Sequence, residues 1–131
     1  MRSLSETRET EMLNKTKDEI FMEEAIRLAE RAGRMSEVPV GALVVLEDKV
    51  VGAAGNASIK NKDPTAHAEM LAIKQASSHL RNYRLAGASL YVTIEPCTMC
   101  LGAMMHARIS RLVFGALEAK SGAVVSNDVM S

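Results

Sequence analysis

Apolar and polar residues follow two different periods along this chain, and these periods predict alternating helices and strands. A helical period begins at Asp18, and Gly33 can end it. The apolar face of this first helix consists of Met22, Ala25, Ile26, Ala29 and Ala32. Residues 1–16 are polar, alternate in charge and show no period. We therefore predict a flexible N-terminal extension over residues 1–17 and one domain over residues 18–131.

Two apolar runs come next, and they predict a pair of strands. The runs cover Val40–Leu46 and Val50–Ala54, and the polar residues 47–49 between them favour a hairpin connection. A polar loop then leads to Pro64, a residue favoured at helix starts, and a second helix is predicted from there to Leu80. The apolar set of this helix is Met70, Leu71, Ile73 and Ala76.

The remaining pattern predicts a strand over 89–94, a helix that starts at Pro96 and runs to about Ala107, and a strand over 112–116. The element order is α-β-β-α-β-α-β, without an internal repeat. Strands that alternate with helices indicate a layered α/β fold, in which the last strands are parallel.

Composition narrows the class of protein. The 131 residues suit one domain, and a hydrophobic content of 47% argues against a disordered chain. Aromatic residues are only 3%, so an aliphatic core is expected, with nine methionines as adaptable filling. Basic and acidic residues number 16 each, so the strongly basic surface typical of many nucleic-acid-binding domains is absent.

Segments that would direct the chain to a membrane are not evident in the sequence. No apolar run approaches the roughly 20 residues of a membrane span. The charged N-terminus also lacks the apolar stretch of a signal peptide. We expect a soluble, cytoplasmic protein with no membrane partner.

Two short segments carry the candidate chemistry: His67-Ala68-Glu69, and Pro96-Cys97-Thr98-Met99-Cys100. Helix starts near Pro64 and at Pro96 would place His67 and Cys97 in first turns, with Cys100 one turn later on the same face. Three such ligands leave the fourth position of a zinc ion open, which is typical of catalytic sites. Glu69 cannot easily bind the same ion, but its carboxylate can reach a water at that open position.

Two other interpretations of the cysteine pair remain. The pair could belong to a structural zinc site, which needs a fourth ligand, and the spare histidines are His79 and His106. The pair could also be a redox couple of the thioredoxin type. The coupling of His67 and Glu69 to the Pro-Cys-x-x-Cys segment favours the catalytic zinc site over both.

The combination of His-x-Glu with Pro-Cys-x-x-Cys resembles the zinc nucleobase deaminases. The neighbouring blocks resemble the bacterial tRNA-specific adenosine deaminase family more closely, and the resemblance runs from about Ile20 to Ala123. These blocks are Glu37-Val38-Pro39-Val40-Gly41-Ala42, Asp63 to Glu69, Asn82-Tyr83-Arg84-Leu85, Leu90 to Cys97, Arg108-Ile109 and Phe114-Gly115-Ala116.

The resemblance implies a three-layer α/β/α fold of the cytidine-deaminase type, with a mixed sheet. It implies one zinc ion per subunit, held by His67, Cys97 and Cys100, and Glu69 as the catalytic residue that moves protons. The implied reaction is hydrolytic deamination of adenosine to inosine at the wobble position of a tRNA anticodon. The implied partners are a tRNA anticodon stem-loop and a second copy of the chain in a homodimer.

Four substrate contacts also follow from the resemblance. Asn56 would hydrogen-bond the target nucleoside, although an asparagine that merely starts a loop is a common alternative. Val40 would line the pocket beside the base, the backbone N–H of Ala68 would meet the base edge, and Glu118 would approach the ribose. Phosphates could be contacted by a group of basic residues: Arg81, Arg84, Arg108, Arg111 and Lys120.

The chain departs from the family pattern in two places. Glu118 stands where the family has Asp, and one added methylene shifts the carboxylate by about 1.5 Å. The family pattern also continues beyond Ser131 through a further strand and basic C-terminal helices, so we expect a shortened chain. Two alternatives follow: a deaminase of a free base or nucleotide such as guanine or deoxycytidylate, or an inactive zinc-stabilised module that binds RNA or another partner.

Overall fold

The structure, a computed structural model, describes residues 15–128. Within this range, three helices and four strands alternate in the predicted order. They are α1 (Lys17–Arg34), β1 (Gly41–Leu46), β2 (Lys49–Gly55), α2 (Ala68–Leu80), β3 (Ser89–Val92), α3 (Thr98–His106) and β4 (Arg111–Phe114). Among the described residues, no helix is both long and apolar enough to cross a membrane.

The four strands form one mixed sheet in the order β2-β1-β3-β4. Strand β1 pairs antiparallel with β2 and with β3, whereas β3 and β4 are parallel. The predicted hairpin and the parallel pair are both confirmed. Because β3 and β4 run in the same direction, the segments that follow them leave the sheet at the same edge.

Helices cover both faces of the sheet and confirm the three-layer arrangement. On one face, Ala25 of α1 packs with Leu43, Val45 and Tyr91 of the strands. On the other face, residues of α2 and α3 form the larger cluster, which includes Ala72. The members of both clusters are mostly small or aliphatic, as the composition predicts.

The first helix begins at Lys17, one residue before the predicted start. The hydroxyl of Thr16 accepts a hydrogen bond from the backbone N–H of Glu19 and caps the helix, and Asp18 lies in the first turn. Residues 1–14 of the predicted extension lie outside the described residues, and the flexibility of the extension stays a prediction.

The hairpin turn is shorter than predicted. Leu46 pairs with Lys49, so the turn contains only Glu47 and Asp48, both with positive φ (51° and 63°). Two residues in this conformation form a type I′ turn, whose twist matches that of the flanking strands. Lys49 therefore belongs to β2 and not to the turn.

The predicted boundaries are also revised near the carboxyl ends of β3 and β4. Strand β3 ends at Val92, before the predicted Ile94, and β4 ends at Phe114, before Ala116. Beyond these ends the pairing continues through isolated backbone hydrogen bonds. The N–H of Glu95, for example, donates to the carbonyl of Ala116 at 2.8 Å. The predicted strand ends are thus extended backbone that is only partly paired.

Candidate active site and zinc centre

The predicted metal ligands lie together where α2 and α3 begin. His67 is the N-cap residue of α2, Cys97 is the N-cap residue of α3, and Cys100 lies in the first turn of α3. The prediction placed His67 and Cys97 inside the first turns; both instead have extended backbone, just before their helices. Pro96 accordingly lies before the N-cap of α3 and not at its first helical position.

The spacing of the three ligand atoms suits a zinc ion. His67 Nδ1 lies 3.7 Å from Cys97 Sγ and 3.6 Å from Cys100 Sγ. A tetrahedral zinc with bonds of about 2.3 Å to sulfur and 2.0 Å to nitrogen separates such ligands by about 3.6 Å. Within residues 15–128, this is the one group of three or more metal-ligating side chains close enough to share an ion.

The protonation chemistry of the cysteines also fits a cation. Both thiols are free of disulfide bonds. Burial, and then the neighbouring Glu69 and Cys97, raise the pKa of the Cys100 thiol. A divalent cation reverses this effect, because it stabilises the thiolate form that binds metal. His79 and His106, the spare histidines of the structural-zinc alternative, are exposed and lie outside the group.

Glu69 is placed beside the ligands by the helix that His67 caps. Its side chain is 3% exposed, and it lines the same cleft as His67 and Cys97. Burial raises the pKa of its carboxyl, while hydrogen bonds from its own backbone N–H and from Cys100 lower it in part. A carboxyl whose pKa is raised holds a proton more readily than an exposed glutamate does, which suits a group that takes up a proton and returns it.

The cleft beside the metal ligands has a volume of about 210 Å³ and is open to solvent. Ten residues line it: Val38, Val40, Asn56, His67, Glu69, Ile94, Glu95, Cys97, Glu118 and Ser121. Three of the four predicted substrate-contact residues are among them, namely Asn56, Val40 and Glu118. The structure therefore brings these residues together with the predicted metal ligands, and their contacts with substrate stay predictions.

The backbone N–H of Ala68, which was predicted to meet the base edge, is already hydrogen-bonded within the chain. Its backbone N–H donates a hydrogen bond of 2.7 Å to Oδ1 of Asn56, and the residue is fully buried. The N–H predicted to meet a base edge thus has a partner within the chain. Asn56 in turn uses its oxygen to hold the start of α2, which leaves its amide NH₂ group as the possible donor toward the cleft.

Two buried glutamates beside the cleft were not predicted as site residues. Glu95 is 2% exposed and accepts five hydrogen bonds from Glu118, Val124, Val125 and Ser126. Burial would raise the pKa of the Glu95 carboxyl, but hydrogen bonds from Ser126, Val125 and Glu118 outweigh burial and lower it to about 2. A charged residue directly after an apolar strand is the sequence signal that could have indicated this role.

Glu37 holds a neighbouring loop in a similar way. It is 8% exposed, and its carboxylate accepts hydrogen bonds from the backbone N–H groups of Ile59 and Lys60, at 3.0 and 2.8 Å. These contacts hold the loop that follows Asn56. No local pattern signals them, because the partners lie more than twenty positions away in the sequence.

The predicted phosphate-binding residues are all exposed, but one of them is engaged elsewhere. Arg111 pairs with Asp18, and its guanidinium donates to both oxygens of that carboxylate. Arg84 lies over the ring of Tyr83 at 5.4 Å, where a cation–π contact orders it. The others are Arg81, Arg108 and Lys120. Arg111 is therefore engaged by Asp18 in this structure, and phosphate contacts by these five residues stay a prediction.

Comparison with known proteins identifies the class of protein to which the chain belongs. A family model described as the cytidine and deoxycytidylate deaminase zinc-binding region matches residues 15–116. That range includes the three ligand residues, Glu69 and the whole sheet, so fold and site agree with the zinc-dependent deaminases as a class.

More similar proteins define the family within this class. The tRNA-specific adenosine deaminase of Haemophilus influenzae is 49% identical over 110 residues, which are 83% of this chain and 64% of that protein. A solved structure from studies of A-to-I editing by tRNA:A34 deaminases, at the wobble position of transfer RNA, superposes with a TM-score of 0.83 at 48% identity. That match covers 85% of each chain. The chain therefore belongs to the tRNA-specific adenosine deaminase family.

A guanine deaminase from Bacillus subtilis is also similar, at 36% identity and a TM-score of 0.74. This match covers 76% of the chain and 64% of the guanine deaminase. The chain thus spans about two thirds of the length of several proteins it resembles.

Proposed function

We propose that this protein deaminates adenosine to inosine by hydrolysis at the wobble position of a tRNA anticodon. The observation that carries the proposal is the group of His67, Cys97 and Cys100, with the buried Glu69 beside it in an open cleft. Membership in the tRNA-specific adenosine deaminase family supports the choice of substrate.

The proposed roles follow from the placement of each side chain. Zinc bound by the three ligands would supply an activated water, because the ion lowers the pKa of water. Glu69 would accept one proton from the attacking water and return it to the ring nitrogen. It would then accept the proton of the added hydroxyl and pass it to the departing amine. Adenosine and water would thus become inosine and ammonia, with the carboxylate of Glu69 regenerated.

Substrate contacts are proposed for the walls of the cleft. The amide of Asn56 would donate a hydrogen bond to the nucleoside, and Val40, which is 9% exposed, would pack against the base. Glu118 lines the cleft from the segment that follows β4, and its carboxylate would approach the ribose there. The small volume of the cleft suits a single base that has been turned out of an RNA loop.

A homodimer and a cytoplasmic location belong to the same proposal. Apolar side chains that are about half exposed or more support a second copy as partner: Met105 at 48%, Leu117 at 61% and Val125 at 60%. Contact between two chains would remove such surface from water. Light scattering of the purified protein measures the mass, and a monomer at micromolar concentration would contradict the dimer.

Inosine mapping in anticodon stem-loop RNA tests the activity. The zinc-loaded protein should convert the wobble adenosine, and Glu69→Ala should convert it far more slowly while it retains one zinc per chain. Loss of the acid–base group should lower the rate by about 10² to 10⁴. A wild-type protein that binds zinc and RNA without turnover would indicate the inactive binding module instead.

Guanine is the second candidate substrate, because the similar Bacillus subtilis protein is a guanine deaminase. Ammonia release from free guanine, measured beside the RNA reaction, separates the two. Turnover of guanine alone would overturn the assignment to tRNA.

A further inference from the structure

One wall of the cleft is made by a segment without a helix or strand of its own. This segment, residues 118–126, is called the C-terminal wall, and it contributes Glu118 and Ser121 to the lining of the cleft. It follows β4 and turns back across the start of α3. A single antiparallel bridge joins Gly122 to Cys97, and the N–H of Ala123 donates to the carbonyl of Pro96 at 2.8 Å.

The carboxylate of Glu95 is the main attachment of this wall to the sheet. Its Oε1 accepts from the N–H of Glu118 at 3.1 Å and from the hydroxyl of Ser126 at 2.5 Å. Its Oε2 accepts from the N–H groups of Val124, Val125 and Ser126, at 3.0, 2.7 and 2.9 Å. The donors come from both ends of the wall, so one side chain fixes the whole segment.

We propose that Glu95 is a positioning residue for substrate: it holds the C-terminal wall so that Glu118 and Ser121 face the cleft. Glu95 would position the wall and would not act on the metal ligands. Among the described contacts, no hydrogen bond joins its carboxylate to His67, Cys97 or Cys100. The identity of the bound molecule rests on the proposed function, but the attachment of the wall does not.

Only an ionised carboxylate suits this arrangement of donors. Five donors converge on two oxygens, and a glutamine has only one oxygen. If the oxygen of a glutamine kept the three N–H groups of residues 124–126, its NH₂ group would face the N–H of Glu118. Two donors would then oppose each other in a buried place, and the wall would lose its attachment at Glu118.

The packing at Gly122 supports a tight fit between the wall and Glu95. A methyl group at Gly122 would overlap the carboxyl group of Glu95 and the carbonyl oxygen of Glu118. Gly122→Ala should therefore push the wall away while the carboxylate itself stays intact.

Amide hydrogen exchange on the zinc-loaded full chain tests the attachment without any need for activity. In Glu95→Gln, the amides of residues 118 and 124–126 should exchange at least about tenfold faster, the factor that loss of a charged hydrogen bond implies. The amide of Leu101, which bonds to Cys97 within α3, should keep its wild-type rate. Unchanged exchange in the wall would overturn the proposal.

Steady-state kinetics with anticodon stem-loop RNA separate positioning from chemistry. The KM of Glu95→Gln should rise about tenfold while kcat changes by less than about threefold. A fall in kcat at constant KM would overturn the proposal, since Glu95 would then act on the reacting atoms. Zinc content and the spectrum of the cobalt-substituted protein should match wild type; loss of metal would instead assign Glu95 to the support of Cys97.

Ser126→Ala provides a milder variant in case Glu95→Gln does not fold. It removes only the hydroxyl donor to Oε1, so exchange should quicken at residues 124–126 by a smaller factor. Asp18→Asn is the matched control for lost stability, because its contacts with Tyr91 and Arg111 lie away from the cleft. The same exchange and KM changes in Asp18→Asn would overturn the specific role of Glu95. Failure of the RNA assay in the wild type would refute the proposed function and leave the exchange result standing.

Discussion

At the scale of single residues, Asn56 shows how one side chain can serve structure and binding at once. Its Oδ1 accepts the N–H of Ala68 at the start of α2, and the residue also lines the cleft. The two tasks use different atoms of the amide. They can therefore be separated by substitutions that keep one atom and remove the other.

Asn56→Asp and Asn56→Ala form such a pair. Aspartate keeps the acceptor for Ala68 and loses the NH₂ donor, so stability should be retained while KM rises about tenfold. Alanine loses both groups, so the free energy of unfolding should also fall by about 1 kcal/mol, as for a lost helix cap. Urea unfolding and RNA kinetics measure the two effects. An unchanged KM in Asn56→Asp would contradict donation to substrate.

The grouping of His67, Cys97 and Cys100 with Glu69 could be predicted from sequence because a zinc site requires particular residue types at short spacings. His67 and Glu69 lie two positions apart, and Cys97 and Cys100 lie one helical turn apart. The roles of Glu37 and Glu95 could not be predicted in this way. A charge directly after an apolar strand does single out Glu95. The partners of both glutamates are mainly backbone N–H groups, however, which every residue but proline carries, so the sequence does not show which segments they hold.

At the scale of elements, close contact between helices and sheet depends on small residues. Gly41 of β1 faces the backbone of α1, where a methyl group would overlap the carbonyl oxygen of Ala25. Gly52 of β2 faces the backbone of α2 at Ala72 in the same way. Glycines at these two strand positions therefore set how near the helices can lie to the sheet.

Gly41→Ala should lower the free energy of unfolding by about 1 to 3 kcal/mol, because α1 must move away from β1. Gly102→Ala is the matched control, since nothing lies within 4 Å of its added methyl group. That substitution should raise the free energy of unfolding by up to about 1 kcal/mol through helix propensity. Urea unfolding of both variants measures the difference, and equal stabilities would refute the packing argument.

Asp18 connects α1 to the sheet and makes stability depend on pH. Its carboxylate accepts hydrogen bonds from Arg111 and from the hydroxyl of Tyr91, the latter at 2.6 Å. These hydrogen bonds lower the pKa of Asp18 from 3.8 to about 2, and the one from Arg111 has the largest effect. The pKa of Tyr91 is raised to about 12, by burial first and then by its bond to Asp18.

Asp18→Asn should therefore be less stable than wild type at pH 7, by no more than about 1 kcal/mol because Asp18 is 36% exposed. A lowered carboxyl pKa gives stability that is complete above about pH 4 and is lost as pH falls through about 2. The difference between the two proteins should vanish over that interval, as followed by urea unfolding monitored by circular dichroism. A difference that persists at pH 2 would contradict this origin.

The order and type of the elements could be predicted from periodicity, but several boundaries could not. The helix predicted from Pro96 begins at Thr98, because Cys97 is held extended by its bridge to Gly122. Likewise, β2 begins at Lys49 because the turn needs only two residues. Such limits depend on pairing between distant segments, whereas periodicity records only the local pattern.

At the scale of the whole molecule, the proposed zinc ion would join α2 to α3 through ligands at their starts. Removal of zinc with a chelator should lower the thermal midpoint by about 10 °C, and added zinc should restore it. His67→Ala should bind less zinc, whereas His79→Ala, whose side chain lies outside the ligand group, should bind one per chain. Calorimetry measures the thermal midpoint and metal analysis measures the zinc content. A thermal midpoint that does not change when zinc is removed would contradict a zinc ion that links α2 to α3.

The support of the C-terminal wall by Glu95 has a consequence for how such a protein can change. The metal ligands and Glu69 belong to helix starts that are packed against the sheet. The C-terminal wall, in contrast, is a loop that one buried glutamate, Glu95, holds mainly through backbone N–H groups, and such contacts tolerate many side chains. Side chains of this wall can therefore change while the candidate metal ligands and Glu69 keep their positions. A change of preferred nucleobase would then require neither a new fold nor a new metal site.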